Sequence, residues 1–318
     1  MKKITWGMIG CGDVTEVKNG PGLYLAENSQ LKGVWNRTRQ KAKDWTLSHQ
    51  QGIVYNSVDD LLSDEEIDIV YIAVTPDKHK DFALMCAQAN KHCLIEKPLA
   101  MSYQEGLEIQ QAFLNCGKKA YVAFYRRAMN RFLFIREIIE SGKLGTIHGV
   151  NVSRQVPPMN DKEQWRAKPE VSGGNVFTET DIHILDYMDS LFGEYKEFSY
   201  QCNDISGTSY KFDQINLSIT YKNGTKLLGT WDYGSENSKD CVEIIGSDGI
   251  LSFDFFHNTQ PIRVITPNET SEYVIEDSIH VGLNMEQQIV NELNGTGSFS
   301  GTVDAAMRTL KIIDIIMS

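Results

Sequence analysis

The chain has 318 residues, 41% of them hydrophobic, and a formal net charge of -11 at pH 7. That length exceeds what one hydrophobic core usually organises, so two domains are expected. The acidic balance argues against nucleic acid or an anionic membrane surface as partner, because neutralising phosphates needs clustered Lys and Arg that are scarce here.

The six cysteines, Cys11, Cys86, Cys93, Cys116, Cys202 and Cys241, are scattered without a CxxC pair. A reducing cytoplasm is the expected location. Lys2-Lys3 runs into Gly7, Gly10 and Gly12 before any apolar stretch reaches the length of a signal sequence, and no segment approaches a membrane span.

Up to residue 124 short β-branched runs alternate with helical stretches, the pattern of a parallel sheet covered by helices. Strands are predicted at Ile4 to Ile9, Leu31 to Trp35, Ile53 to Tyr55, Ile67 to Val74, Cys93 to Ile95 and Ala120 to Phe124, with a helix over Phe82 to Asn90. Ile67 to Val74 is apolar almost without a break after Asp68, as a central strand covered on both faces should be. The expectation for residues 1–124 is a six-stranded α/β dinucleotide-binding domain. Beyond it come one helix, Arg131 to Ser141, and then longer alternating strands. Lys211 to Thr220, Thr225 to Tyr233 and Val242 to Phe253 carry Asn223-Gly224 and Asp248-Gly249, both hairpin signals because these residues tolerate positive φ. Two helices, Leu283 to Leu293 and Asp304 to Met317, end the chain. Residues 125–318 therefore read as an α+β domain with an open, mainly antiparallel sheet. Such a sheet must cover its outer face, and two-fold self-association is the commonest way, so a homodimer or higher homo-oligomer is expected.

The first strand leads directly into Gly10-Cys11-Gly12-Asp13-Val14-Thr15. Gly10 and Gly12 supply the first two glycines of a dinucleotide fingerprint, one for the tight turn and one for backbone approach to a pyrophosphate, with Asp13 and Val14 opening the helix whose amides face the anion. Thr15 stands at the third glycine position and weakens close packing there. Asn19-Gly20-Pro21 should interrupt this helix. At the end of the second strand, where an NAD enzyme places an acid, the chain has Asn36-Arg37-Thr38-Arg39. Two guanidinium groups suit a 2′-phosphate, so NADP is the preferred cofactor, with NAD possible. The alternative is that Arg37 and Arg39 are solvated residues at a helix start.

Thr75-Pro76-Asp77-Lys78-His79 follows the fourth strand and Glu96-Lys97-Pro98 the fifth, both at carboxyl ends where parallel sheets bind ligands. With the fingerprint, Glu96-Lys97-Pro98 resembles the signature of the glucose-fructose oxidoreductase, inositol dehydrogenase and MocA family. The resemblance continues through Tyr125-Arg126-Arg127, Trp165-Arg166, Ser172-Gly173-Gly174-Asn175, Glu179, His183 and Asp186. It implies that Lys97 reaches the substrate oxygen beside the nicotinamide, with Glu179 and His183 as its catalytic companions. It also implies that Trp165 and Arg166 lie on a loop at the nicotinamide end and that His79 lines the cofactor cleft. Tyr125 and Arg126 are candidate substrate contacts at the domain junction. Two departures stand out: Glu179 replaces the usual aspartate, and Asn175 the third glycine.

The residues support a proton-transfer role independently. Glu179, His183 and Asp186 at i, i+4 and i+7 share one face of an α-helix, with Asp181 pointing elsewhere. An imidazole, ordinarily titrating at about 6.5, can accept and donate a proton at neutral pH. An ammonium at Lys97 would stabilise a developing alkoxide. The alternatives are a surface-turn lysine, a core histidine, a helix-dipole charge at Glu179 and a loop-bracing His79. A metal is not expected, since Glu179 and His183 have no clustered third ligand. Together with these residues, the resemblance implies hydride transfer between a nicotinamide and a hydroxyl or carbonyl of a sugar, polyol or related small molecule. Its rivals are a redox-neutral, NAD-dependent glycoside hydrolase and a non-catalytic nucleotide sensor on the same scaffold.

Overall fold

The computed structural model describes the whole chain except residues 159–167, 175 and 206–210. It divides into two compact units, Met1–Met129 with Asp277–Lys311, and Asn130–Glu276 with Ile312–Ser318.

The sheet of the first unit contains β1 (Ile4–Ile9), β2 (Ser29–Trp35), β3 (Ile53–Val54), β4 (Ile69–Ile72), β5 (His92–Ile95) and β6 (Ala120–Val122). Its order is β3-β2-β1-β4-β5-β6, with every pair parallel. The uninterrupted apolar runs explain the centre: every residue of β1 and β4 is buried, as helices on both faces require. Helices Arg39–His49, His79–Gln88 and Tyr103–Cys116 follow β2, the turn after β4, and β5. The last is capped by Ser102, whose Oγ accepts from the Glu105 amide, and ends at Gly117 with φ +66°.

The compact units differ from the expected single cut after residue 124, and the reason is apolar burial. Helix Leu283–Leu293 places Met285, Ile289 and Val290 in one buried cluster with Trp6, Met8, Tyr71 and Tyr121, so residues 277–311 belong with the first sheet. Each such side chain contributes about 1.5–3 kcal/mol when taken out of water, which outweighs sequence proximity.

The second unit carries β7 (Ile147–Gln155), β8 (Tyr195–Asn203), β9 (Gln214–Tyr221), β10 (Lys226–Asp232), β11 (Lys239–Gly246), β12 (Ile250–Phe253), β13 (Ile262–Ile265) and β14 (Thr270–Tyr273). Their order is β14-β13-β12-β11-β7-β10-β9-β8. Only the β7–β10 pair is parallel, which agrees with the mainly antiparallel sheet expected. Strict alternation along β9 and β10 sends Ile215, Leu217, Ile219, Leu227 and Trp231 inward. Gly224 has φ +94° in the β9–β10 hairpin, and the predicted stretch Val242 to Phe253 folds at Asp248-Gly249 into β11 and β12. Helix Ile182–Phe192 is buried along nearly its whole length.

A buried ion pair helps to pin the unit. Arg131 Nη2 lies 2.6 Å from Asp254 Oδ1, while Asp254 Oδ2 accepts from the Thr259 amide at 2.7 Å and its hydroxyl at 2.9 Å. Breaking such a pair strands a buried charge, so Asp254→Ala is expected to cost about 3–5 kcal/mol in chemical denaturation. An unchanged denaturation midpoint would contradict this.

Candidate active site

The turn after β1 meets the steric demands of a dinucleotide. Gly10 has φ +101°, and a Cβ there would sit 2.1 Å from the Ala73 carbonyl oxygen, so only glycine fits against β4. A Cβ on exposed Gly12 would meet nothing within 4 Å, which leaves open space in front of its backbone for a phosphate group. The helix expected next is a single π-helical turn, Val14–Lys18, preceded by Asp13 without a side-chain cap. Thr15 is fully buried, and its hydroxyl donates to Gly12 O at 2.7 Å. Gly20 packs tightly within the same turn: a Cβ there would lie 1.9 Å from Thr15 O. Asn19-Gly20-Pro21 thus breaks the helix, as predicted, and also packs the turn against itself. A short helix, Gly22–Leu25, follows.

At the end of β2, Asn36 Oδ1 accepts from the Thr38 amide at 2.9 Å. Burial pushes the Cys11 thiol up to about 11, so it is not a thiolate at neutral pH. Arg37 and Arg39 are both exposed; Arg39 bonds Asn56 Oδ1.

Two further turns stand at the carboxyl ends of β4 and β5. Thr75 Oγ1 donates to Asp77 Oδ1 at 2.6 Å, at the head of the short turn Pro76–Lys78. His79 is fully buried, with Nδ1 2.7 Å from Pro98 O and Nε2 3.1 Å from Val74 O. It ties the β4 turn to the Lys97-Pro98 turn, so the bracing role weighed for it is the one its contacts describe. Glu96 is buried; its Oε1 accepts from Tyr71 Oη at 2.6 Å and Asn19 Nδ2 at 2.7 Å, and its Oε2 from the Lys97 amide at 3.3 Å. Burial pushes the Glu96 carboxyl above the usual range, opposed by the Lys97 charge and these donors. Half-buried Lys97 is therefore carried on a turn held from three sides. Tyr125, Arg126 and Arg127 form the short turn Tyr125–Ala128 after β6; Arg126 stacks over the Tyr125 ring at 5.5 Å, and Arg127 donates to Ser300 O at 3.1 Å.

In the second unit, Gly173 and Gly174 adopt φ +84° and +145° before the segment bearing Glu179 and His183. That segment opens with a π-helical turn, Phe177–Asp181, and becomes α-helical only at Ile182. The extra residue in the π turn offsets Glu179 from the α-helical face that its spacing predicted. Glu179 is half-buried and accepts from Thr180 Oγ1 at 2.6 Å, whereas His183 and Asp186 lie buried together on the α-helix. Nδ1 of His183 is sealed from solvent. Asp181, expected to point away, is wholly buried: Tyr233 Oη donates to it at 2.7 Å and Arg154 Nε at 3.3 Å. Burial raises its carboxyl to about 6 despite the Arg154 charge. Trp165, Arg166 and Asn175 lie outside the described residues. Among the described residues no cluster of His, Cys, Asp and Glu could hold a metal.

Sequence reasoning missed Asn19, Tyr71 and Glu286 around Glu96, and Arg154 and Tyr233 around Asp181. The available signal was Glu286 itself, an acid on the apolar face of Leu283–Leu293 beside Met285, Ile289 and Val290.

The parallel sheet, with its glycine turn after β1 and polar turns at the ends of β4 and β5, defines a nucleotide-binding Rossmann domain. Family comparison gives the same result: residues 4–124 match the oxidoreductase family with an NAD-binding Rossmann fold, and residues 132–252 the GFO/IDH/MocA C-terminal domain. An oxidoreductase of Formosa agariphila is 30% identical, the alignment covering 98% of both chains. The myo-inositol 2-dehydrogenase of Thermotoga maritima is 22% identical over 84% of this chain and 79% of its own. The solved aldose-aldose oxidoreductase of Caulobacter crescentus superposes with a TM-score of 0.85, at 19% identity, over 99% of this chain and 96% of its own. The chain belongs to the Gfo/Idh/MocA family of NAD-binding oxidoreductases.

His79 yields a prediction of its own. Its burial lowers the imidazole to about 4, against about 6.5 when unfolded. A depressed folded value contributes stability that is fully present above the unfolded pKa and is lost as pH falls through the folded one. The wild type should therefore lose up to about 3 kcal/mol from this group between pH 7 and pH 4, and His79→Gln should flatten that part of the profile. Parallel denaturation profiles for the two proteins would contradict it.

Proposed function

We propose that the protein interconverts a secondary hydroxyl and a carbonyl on a sugar, polyol or related small molecule, using NADP in preference to NAD. The observation that carries this reading is the Glu96-Lys97 turn: it stands at the carboxyl end of β5, two strands from the glycine turn, with Lys97 anchored through its own amide. Bound at the turns described, the nicotinamide cofactor supplies a hydride acceptor or donor. The rest falls to side chains of this chain. Lys97 Nζ holds positive charge beside the reacting oxygen and favours the alkoxide. In the oxidising direction the C–H bond breaks with its electron pair leaving as hydride, and the hydroxyl proton passes to the His183 imidazole; reduction reverses both transfers. Glu179 orients the substrate or His183, and Tyr125 and Arg126 contribute to the substrate wall. Relatives named as inositol dehydrogenases favour a polyol or cyclic sugar.

NADP is preferred because β2 ends in Asn36-Arg37-Thr38-Arg39, where an acid for the ribose hydroxyls would otherwise stand, and because Arg37 is exposed. Six free cysteines and the absence of a long apolar helix among the described residues fit a cytoplasmic protein. The outer face of the eight-stranded sheet, with Tyr200 and Leu228 exposed, suits a two-fold contact between copies.

Three measurements test the reading. In fluorescence titration NADPH should bind more tightly than NADH, and Arg37→Ala should weaken NADPH about tenfold while leaving NADH little changed. Tighter NADH binding would overturn the cofactor assignment, and binding of neither would overturn the oxidoreductase mechanism. Lys97→Met should lower kcat on a polyol or sugar turned over by the wild type by a factor of about 100 or more, with dinucleotide affinity retained. Sedimentation equilibrium should give a multiple of 35.9 kDa; a monomer would contradict the dimer.

A further inference from the structure

Behind Lys97 the first unit holds an acid that the proposed reaction does not use. Glu286 is completely buried, and no other residue donates a hydrogen bond to either carboxyl oxygen; Asn19 Oδ1 beside it is likewise buried and unpartnered. Two glycines make room for this carboxyl group. A Cβ on Gly22 would lie 2.4 Å from Glu286 Oε2, and one on Gly282 would lie 2.3 Å from Asn19 Oδ1 and 2.7 Å from Glu286 Oε1. Glu286 Oε1 and Asn19 Oδ1 are thus packed against the same backbone carbon, two acceptors facing one dry space. Acceptors do not share such a space without a hydrogen between them, since an unpaired buried polar group is costly.

The neighbouring groups decide where that hydrogen comes from. The Asn19 amide nitrogen is already spent on Glu96 Oε1 at 2.7 Å and Tyr71 Oη at 3.2 Å, and Tyr71 Oη itself donates to Glu96. A rotation of the Asn19 amide would aim its oxygen at the Glu96 carboxylate and forfeit those bonds. The charged group facing Glu286 is that same carboxylate; Tyr71 is the other titratable neighbour, and Gly22 and Gly282 present only backbone. The donor has to be Glu286. Burial above all, with the Glu96 charge, pushes its carboxyl well above the ordinary range against the opposing pull of its own backbone N–H.

We propose that Glu286, as the neutral acid, is a positioning residue whose O–H donates to Asn19 Oδ1 and so locks the amide that holds Glu96 and the Lys97 turn. The inference rests on Lys97 and the glycine turn being the working parts of the site, as proposed above. Asn19 also belongs to the nucleotide turn, since its backbone N–H donates to Val14 O at 3.0 Å and Gly20 beside it packs on Thr15. The chain Glu286 to Asn19 to Glu96 to Lys97 therefore joins the dinucleotide turn to the lysine by hydrogen bonds alone. Asn19 becomes a fixed spacer, with both ends of its amide committed.

The test compares wild type, Glu286→Gln and Glu286→Leu, using NADPH and NADH as probes and the side-chain amide NMR signal of Asn19, assigned with Asn19→Ser. Glutamine keeps a donor at this place without a titrating proton, and leucine keeps volume without a donor. Glu286→Gln should reproduce the Asn19 signal and the dinucleotide affinity of the wild type near neutral pH. Glu286→Leu should shift that signal and weaken dinucleotide binding by about fivefold or more. As pH rises through the titration of Glu286, wild type should lose affinity and Glu286→Gln should not. A merely tolerated buried acid predicts the reverse: leucine would leave the signal and affinity unchanged and raise the Tm. That outcome overturns the proposal, as does an identical pH dependence in wild type and Glu286→Gln, a comparison that stands even where the leucine variant fails to fold. Wild type that binds neither dinucleotide would instead count against the proposed function, with the Asn19 signal still testing the network.

Discussion

A carboxyl group cannot be taken out of water beneath a parallel sheet unless donors or a proton go with it, and Glu96 imposes that condition on the whole first unit. Its donors come from the turn after β1, from β4 and from the residue that follows it. Each brings a different part of the chain to one point. The burial of one acid thus fixes where the nucleotide turn, the central strand and Lys97 stand relative to one another. The helix Leu283–Leu293 completes the arrangement from the far end of the sequence, seating Glu286 between two glycines.

The second unit solves an analogous problem with a different balance of charge. Asp181 is buried as deeply, but a guanidinium accompanies it, and Arg154 is itself stacked 4.5 Å from the Phe256 ring. Tyr233 takes the remaining carboxylate oxygen. This network sits at the end of the π-helical turn, immediately before the helix that carries His183, so it anchors the start of that helix. Asp181, two positions before the proposed proton carrier, is thus committed to structure.

Much of this was legible in the sequence because period and turn chemistry are local. The apolar run around Ile69–Ile72 announces a central strand, Asn223-Gly224 announces a hairpin, and Gly10 announces a turn whose φ other residues resist. Glu96-Lys97-Pro98, taken together with the glycine fingerprint, carries the resemblance to the family. What escaped depends on contacts distant in sequence. The return of residues 277–311 to the first unit follows from Met285, Ile289 and Val290 packing on Trp6 and Tyr71, which no local pattern specifies. The π turn over Phe177–Asp181 defeats the spacing argument for Glu179, because a helical face assumes an unbroken period of 3.6 residues. Gly20 was read only as a helix breaker, since its role is a backbone contact with Thr15 that the sequence does not encode as a motif. Tyr71 was hidden inside an apolar strand.

The central claim is that the carboxyl ends of β1, β4 and β5 cradle a nicotinamide dinucleotide with Lys97 at its reactive end. The most direct measurement is a crystal structure of the protein grown with NADPH. The account predicts the pyrophosphate over the backbone of Gly10 to Val14, the 2′-phosphate beside Arg37, and the nicotinamide ring next to Lys97 Nζ. A dinucleotide bound away from the glycine turn, or a nicotinamide remote from Lys97, would contradict it.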